Sequence, residues 1–175
     1  GYLKDVYRPL YINKTPLINT TIETAEMIKY AANAFLALKI SYINEVANLC
    51  DEIGADINVV SEALGSDGRI SPKFLHPGPG FGGSCFPKDT KALIHIAKKY
   101  NLEMNTIDAA IKTNHYQRKR MFNKIENLLE GNLKNRKIAV LGLAFKQETN
   151  DVRESASIDI ILELMSRGVS IKAYD

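Results

Sequence analysis

A cysteine with two glycines before it and a Lys-Asp pair after it has the surroundings that most favour chemistry. The segment 82–89 has the sequence GGSCFPKD, and its glycines leave room for a ligand or another backbone because they carry no side chain. A helix is predicted to begin at Pro87, so its positive end and Lys88 would both favour the nucleophilic thiolate of Cys85. Asp89 falls in the first turn and could orient a water or the thiol. The alternative is a tight turn around a buried, inert cysteine.

A lysine and an asparagine form a second candidate group. Lys29 and Asn33 are four residues apart on a predicted helix, so they share one face with Leu36 and Ile40. An ammonium and an amide side by side can stabilise an oxyanion. The alternative is a solvent-exposed polar pair, and the spacing by itself favours that interpretation.

A third candidate follows the first predicted strand, at residues 137–142. Lys146 lies beyond the carboxyl end of this strand, where parallel sheets bind ligands. The Gly-x-Gly-x-x-Gly pattern of a dinucleotide site is missing, so this is not the usual dinucleotide site, although it could hold a nucleotide. Residues 151–155 come next, and a helix cap with a surface ion pair explains them equally well.

The helix that carries Lys29 is predicted to be unusually long. A Thr20–Glu23 capping box begins it, apolar residues recur at three- and four-residue steps, and Gly54 ends it. It would span about 33 residues, or about 50 Å. Because it is apolar on more than one side, we expect it to pack along its whole length, often the mark of a symmetric partner.

The other elements define the fold class. Residues 1–19 lack clear periodicity and are predicted to be an irregular lead-in. Helices are predicted over residues 56–64, 87–100 and 105–130, with a loop over residues 65–86. A strand at 137–142, a helix capped by Ser155 and a strand at 169–174 then form one βαβ unit. We therefore predict a mainly helical bundle domain over residues 20–134, followed by a truncated α/β unit of Rossmann-like type over residues 135–175.

Composition excludes several classes of protein. The chain has 175 residues, 45% hydrophobic and 25% charged, with a net charge of +3, too small to favour nucleic acid or a membrane surface. No apolar run approaches the roughly 18 residues of a membrane span. The basic residues 118–120 are predicted to form a solvated helix face. The three histidines lack metal-ligand spacing, so no metal site is expected, and two cysteines favour a reducing cytosol.

The motifs also resemble those of a known family. The segment 82–89, with residues 26–30 (EMIKY) and Asn33 upstream, is similar to the UDP-glucose 6-dehydrogenase family. The similarity covers most of the chain, since it extends to residues 44–45, 67–70, 142–146 and 151–155.

The resemblance implies an enzyme that oxidises the C6 alcohol of a UDP-sugar to a carboxylate with two molecules of NAD. Cys85 would be the nucleophile that traps the aldehyde as a thiohemiacetal, later oxidised to a thioester that water hydrolyses. Lys29 and Asn33 would stabilise the developing oxyanions. Asp89 would position the water or act as a base.

The resemblance implies ligand-binding residues and partners as well. Lys88 and Arg153 would lie near the NAD, and Arg69 would reach the substrate from a neighbouring subunit. The nucleotide sugar would be held by Phe74, Phe81, Gly82, Phe145 and Lys146. The long helix would form the core of a homodimer or of a higher homo-oligomer, in a cytoplasmic enzyme of polysaccharide precursor biosynthesis.

Two departures from the family limit what the chain alone is expected to do, and one is that the C-terminal nucleotide-sugar domain is cut after its second strand. The family's N-terminal NAD domain has no counterpart in these 175 residues, which are too few for a complete two-domain oxidoreductase. We therefore expect no dehydrogenase activity from this chain by itself. The alternatives are a UDP-N-acetylmannosamine or GDP-mannose dehydrogenase, and a non-catalytic helical oligomerisation module.

Overall fold

The structure is a computed structural model that describes residues 2–11 and 17–175. Its elements follow in the order α1 (Tyr2–Tyr11), α2 (Ile22–Ile53), α3 (Ile57–Ser66), α4 (Cys85–Lys99), α5 (Asn105–Leu128), β1 (Lys137–Leu141), α6 (Ala156–Ser166) and β2 (Ser170–Tyr174). The predicted fold class is confirmed: the described chain is mainly helical and ends in a parallel pair of short strands with a helix between them.

The long helix α2 has a defined cap at each end. The side chain of Thr21 accepts a hydrogen bond from the amide of Thr24, at 3.3 Å, so the cap lies one residue after the predicted Thr20. Gly54 ends the helix in the left-handed conformation, at φ 73°, which glycine adopts without steric cost. Sequence therefore places the helix correctly to within one residue.

Two apolar clusters hold the fold together, and α5 takes part in both. Near its start, Ile107 packs with Ala34 of α2 and Leu93 of α4. Near its end, Phe122 packs with a second group that includes Leu164 of α6. Burial of these side chains is the main stabilising contribution, at about 25 cal/mol per Å². Helix α5 therefore joins the helical bundle to the βαβ unit.

The βαβ unit pairs β1 with β2 in parallel, from Lys137 opposite Ser170 to Leu141 opposite Tyr174. Helix α6 covers one face of this pair. The sequence predicts a buried strand for β1, yet Leu141 is 82% exposed, because two strands and one helix cover only one face.

Several predictions of where elements begin and end are wrong. The expected irregular lead-in contains α1, in which Tyr2, Leu3, Val6 and Tyr7 recur at helical spacing but remain exposed. Helix α3 continues through Gly65, where Pro72 packs against the glycine backbone and leaves no room for a Cβ atom. Helix α4 begins at Cys85, two residues before Pro87, because proline is tolerated within a first turn.

Candidate active site

Cys85 is the first residue of α4, and its side chain is exposed. Ser84 precedes the helix, and its hydroxyl oxygen lies 3.9 Å from Sγ of Cys85. The free amides of the first turn give this end of the helix a partial positive charge. A reactive thiolate is therefore better accommodated here than it would be at the middle of a helix.

Asp89 lies one turn after Cys85 and faces two residues of α2. Its side chain is only 2% exposed. The side-chain amide of Asn33 donates to Oδ2 at 2.5 Å, and Nζ of Lys29 lies 3.5 Å from the same oxygen. Nζ of Lys88 lies 2.7 Å from Oδ1. The lysine and asparagine that are four residues apart in sequence therefore meet at one buried carboxylate.

The charge of Asp89 is maintained despite its burial. Burial raises the pKa of this carboxyl, but hydrogen bonds from Lys88 and Asn33 and the charges of Lys88 and Lys29 outweigh that effect, so its pKa lies below the ordinary value. Asp89 is thus an anion at neutral pH. It is suited to orient hydrogen-bond donors, and a lowered pKa makes it a weak proton acceptor.

Two cationic side chains, Lys88 and Arg153, interact electrostatically with Cys85. A hydrogen bond to Asp89 and the charge of Asp89 raise the pKa of Lys88, and Cys85 adds a smaller contribution. Hydrogen bonds to Asp151 and its charge raise the pKa of Arg153, to which Cys85 again contributes. Both cations therefore attract a thiolate at position 85.

Arg153 is fixed by a two-pronged contact with Asp151. Its Nε and its terminal nitrogen donate to the two carboxylate oxygens, at 2.9 and 2.7 Å, and its backbone amide donates to Oδ1 at 3.0 Å. These hydrogen bonds lower the pKa of Asp151 to about 2.

The two glycines before Cys85 permit a close contact with the segment that carries Arg153. A Cβ atom on Gly82 would overlap the carbonyl oxygen of Glu154, and one on Gly83 would lie 2.7 Å from the ring of Phe145. Gly83 also has a φ of 79°, and its amide donates to the carbonyl of Arg153 at 2.8 Å. Side chains at these positions would push the cysteine loop away from the βαβ unit.

An open cleft of about 640 Å³ lies beside Cys85. It is lined by Gly83, Ser84, Lys88, Lys91, Arg153 and Glu154, among others. Three of the lining residues are cationic and two, Glu154 and Asp159, are acidic, so the cleft has a small positive excess that favours an anionic ligand such as a phosphorylated compound. Nζ of Lys146 lies 5.5 Å from the centre of the Phe145 ring, which is close to Gly83.

Comparison with known proteins places this geometry in a family. The central-domain model of the UDP-glucose/GDP-mannose dehydrogenase family matches residues 23–116, more than half of the chain. The chain belongs to this family. The model of the family's UDP binding domain matches residues 139–175.

Individual relatives of this family agree with that assignment. The chain is 46% identical over 173 residues to UDP-glucose 6-dehydrogenase of Rhizobium meliloti, covering 99% of this chain and 40% of that protein. It is 50% identical over 173 residues to UDP-glucose 6-dehydrogenase TuaD of Bacillus subtilis, covering 99% and 37%. The solved structure of a UDP-glucose dehydrogenase from Pyrobaculum islandicum matches with a TM-score of 0.91 at 42% identity, over 98% of this chain and 39% of that one. The chain therefore spans about two fifths of the length of the curated relatives it matches.

Three residues expected from the family resemblance have contacts outside the group formed by Cys85, Asp89, Lys29 and Asn33. Phe81 is 6% exposed, and its ring packs edge-on against Phe86 at 6.0 Å, as does the ring of the more exposed Phe74. Arg69 is exposed and donates to Asp67 in the same two-pronged way that Arg153 contacts Asp151. Its position in this one chain gives it no described contact with the Cys85 group.

Sequence analysis does not reveal that buried polar side chains of α2 and α5 bind the backbone of the loop before Cys85. Asn114 bonds both backbone polar groups of Phe81, at 2.7 and 3.0 Å. Gly78 donates to Asn44, at 2.8 Å, and accepts from Gln117, at 2.9 Å. The only sequence signal is that polar residues occupy the apolar face of each helix at helical spacing.

Arg118 is a further correction. The prediction of a solvated helix face over residues 118–120 is wrong for this residue, which is 8% exposed. Lys119 remains exposed, because each residue of a helix turns about 100° from the one before it.

Two absences concern the part of the chain that the structure describes. Within residues 2–11 and 17–175, no group of three or more His, Cys, Asp or Glu side chains could hold a metal ion. Among the same residues, no helix combines the length and the hydropathy that crossing a bilayer requires.

Proposed function

We propose that this chain supplies the nucleophile and much of the substrate site of an NAD-dependent UDP-glucose 6-dehydrogenase. The observation that carries this proposal is Cys85 at the start of α4, with Asp89 one turn later holding Lys29 and Asn33. The names of the most similar relatives support UDP-glucose as the substrate. The matched UDP binding domain supports a UDP-sugar.

The reaction proceeds through two oxidations. The C6 alcohol first loses a hydride and a proton and becomes an aldehyde. The thiolate of Cys85 adds to the aldehyde carbon and forms a C–S bond, giving a thiohemiacetal after protonation of the oxygen. Loss of a second hydride together with the hydroxyl proton gives a thioester. Water then adds to the carbonyl carbon, and the C–S bond breaks to release the carboxylate, a proton and the thiol. NAD, when bound, accepts the hydride in each oxidation.

The residues around Cys85 have separate roles in this scheme. Lys29 and Asn33 donate to the oxygen that becomes negative when sulfur or water adds to the carbonyl carbon. Asp89 orients these two donors, because its lowered pKa makes it a better hydrogen-bond acceptor than base. It also positions the attacking water.

The cleft beside Cys85 fits an anionic cofactor. Lys88 and Arg153 line it, both already hydrogen-bonded to carboxylates that fix their orientation. These two residues would hold the diphosphate of NAD. The nucleotide sugar would lie against Gly82, Phe145 and Lys146, with Phe74 and Phe81 beneath, and Arg69 would come from the partner subunit.

An exposed apolar stripe on α2 supports a homodimer as the assembly. Ile28, Phe35, Tyr42 and Leu49 follow one another at seven-residue intervals, and each is between 46% and 60% exposed. Seven-residue spacing keeps side chains along one seam of a helix, which is how helix pairs bury such residues.

The proposed enzyme works in the cytoplasm and makes polysaccharide precursors, and the 175-residue chain alone has no activity.

The test is an assay of the full-length protein with NAD and three sugars: UDP-glucose, UDP-N-acetylmannosamine and GDP-mannose. We expect two molecules of NADH per UDP-glucose, and a loss of at least about 100-fold in kcat for Cys85→Ser. Cys50→Ala is the control, because Cys50 is buried in α2 away from this site. Preference for another sugar would indicate the activity of a UDP-N-acetylmannosamine or GDP-mannose dehydrogenase. Unchanged activity of Cys85→Ser would show that Cys85 is not the nucleophile and would favour a non-catalytic oligomerisation role for these 175 residues.

A further inference from the structure

Arg118 is a buried cation that contacts three separate parts of the fold. It lies on α5, and one terminal nitrogen donates to the carbonyl of Phe81 at 2.8 Å and to the carbonyl of Glu154 at 2.9 Å. Its other terminal nitrogen donates to the carboxylate of Asp159 on α6. One side chain thus joins the cysteine loop, the segment after Lys146 and the last described helix.

These contacts make Arg118 more than a surface ion pair. Its side chain is 9% exposed, and both terminal nitrogens donate hydrogen bonds that offset the cost of burying the charge, while Nε has no hydrogen-bond partner among the described residues. The planar group presents several donors at fixed angles, which a lysine cannot reproduce. Both backbone carbonyls that it binds belong to segments without helix or strand, so side chains supply these hydrogen bonds, and the Phe81 carbonyl also accepts one from Asn114 at 3.0 Å.

The position of these carbonyls connects Arg118 to Cys85. Phe81 is four residues before the cysteine, and Gly82 packs directly on the carbonyl of Glu154. The amide of Gly83 binds the carbonyl of Arg153, whose side chain interacts electrostatically with Cys85. Arg118 therefore holds together the same two segments, the cysteine loop and residues 153–155, whose contact brings the thiol near the Arg153 guanidinium.

We propose that Arg118 is a positioning residue, which locks the cysteine loop against the 153–155 segment and so keeps Cys85 aligned with Arg153. The inference rests on the proposed function only in taking Cys85 as the nucleophile. Arg118 lies between the two stretches that the family models match, residues 23–116 and 139–175. It therefore ties the helical domain to the nucleotide-sugar-binding unit at the point where the substrate would lie across both.

The test compares Arg118→Met and Arg118→Lys with Arg120→Met in the full-length protein. Arg120 is a matched control, because it lies on the same helix, is partly buried and pairs with Glu52 at 2.8 Å, at the far end of α2. Two quantities are measured: kcat and KM with UDP-glucose and NAD, and the rate at which iodoacetamide alkylates Cys85 at pH 7, read by mass spectrometry of its peptide.

We expect kcat to fall by about 10- to 100-fold in Arg118→Met, since small misplacements of a reacting group have effects of that order. Alkylation should slow about threefold or more, because the thiol loses its alignment with Arg153. Arg118→Lys should recover part of both losses, and Arg120→Met should stay within about twofold of wild type in each.

The two proposals fail in different ways. A wild-type protein that oxidises no nucleotide sugar contradicts the proposed function, while the alkylation rates still decide the role of Arg118 because they need no substrate. Equal alkylation rates in wild type, Arg118→Lys and Arg120→Met would overturn the positioning role. So would an Arg118→Lys protein with wild-type kcat and a lowered melting temperature, which would indicate a purely structural arginine.

Discussion

The side-chain amide of Asn33 on α2 donates to the buried carboxylate of Asp89 on α4, at 2.5 Å. Together with the Lys29–Asp89 ion pair and the packing of Ala34 on Leu93, this contact joins the helix that carries Lys29 to the helix that carries Cys85. Each helix presents its pair of residues four positions apart, so both pairs point into the same space. The proposed oxyanion donors and the proposed nucleophile are therefore brought together through the Asp89 carboxylate, which both Asn33 and Lys29 contact.

Asp89→Asn should destabilise the fold at neutral pH and change its acid response. The wild-type carboxyl has a pKa below its unfolded value of 3.8, so its contribution is present above that pH and is lost as the pH falls through the lowered folded pKa. We expect the variant to lose about 1–2 kcal/mol of unfolding free energy at pH 7. Its stability should then vary less than that of wild type below about pH 4.

Urea unfolding at several pH values measures this effect. Asp108→Asn is the control, because Asp108 forms an exposed ion pair with Lys112 four residues later and should cost no more than about 0.5 kcal/mol. Identical pH profiles for wild type and Asp89→Asn would contradict the assignment of a charged Asp89.

Gly82→Ala should dislodge the cysteine loop. The added methyl group would overlap the backbone carbonyl of Glu154, which has no rotamer through which to withdraw. We expect a loss of about 1–3 kcal/mol in stability together with reduced activity. Gly78→Ala is matched to it within the same loop, since a Cβ atom at Gly78 meets nothing within 4 Å. Thermal unfolding of the two variants distinguishes them, and equal melting temperatures would rule out the close contact.

Phe35→Glu should convert a dimer into a monomer. Phe35 lies in the middle of the exposed apolar stripe on α2, and two copies of a carboxylate facing each other across a seam would repel and lose hydration. Sedimentation velocity at micromolar concentration measures the change. Leu162→Glu is the control, because Leu162 has the same exposed fraction but lies on α6. A wild-type protein that sediments as a monomer would remove the basis of the prediction.

Asp67→Asn and Asp151→Asn should weaken the binding of different ligands. Asp67 orients Arg69, which we propose to contact the sugar nucleotide, and Asp151 orients Arg153, which we propose to contact NAD. We expect KM for UDP-glucose to rise in the first variant and KM for NAD in the second, each by about three- to tenfold. Each variant is the control for the other. An equal rise of both KM values in both variants would show that neither aspartate acts through its own arginine.

Local sequence patterns are sufficient to predict much of this fold. The ends of α2 at Thr21 and Gly54 follow from capping chemistry, with an error of one residue at the first. The four-residue spacing of Lys29 and Asn33 correctly indicates a shared helix face. That this face meets Asp89 depends on how α2 packs against α4, which no local pattern specifies.

The burial and the contacts of Arg118 cannot be predicted from local sequence patterns, for a similar reason. Three consecutive basic residues on a helix look alike in sequence, and only the neighbours that α5 acquires on folding separate buried Arg118 from exposed Lys119. Two of its three hydrogen-bond partners, the carbonyls of Phe81 and Glu154, are backbone groups. Backbone groups leave no trace in residue identity, so this contact is visible only in three dimensions.

The Asp-x-Arg contacts at residues 67–69 and 151–153 have the same geometry, with one carboxylate holding both the side chain and the backbone amide of the arginine two positions later. A free arginine must lose about 2 kcal/mol of rotamer entropy when it becomes fixed on a ligand. Here much of that ordering is complete before any ligand arrives, so less of the binding energy is lost to it. The same aspartates also reduce each arginine's net attraction for anions. This arrangement favours ligands that form hydrogen bonds in the right directions over ligands that are merely negative. Each arginine would therefore prefer its proposed nucleotide ligand to free phosphate.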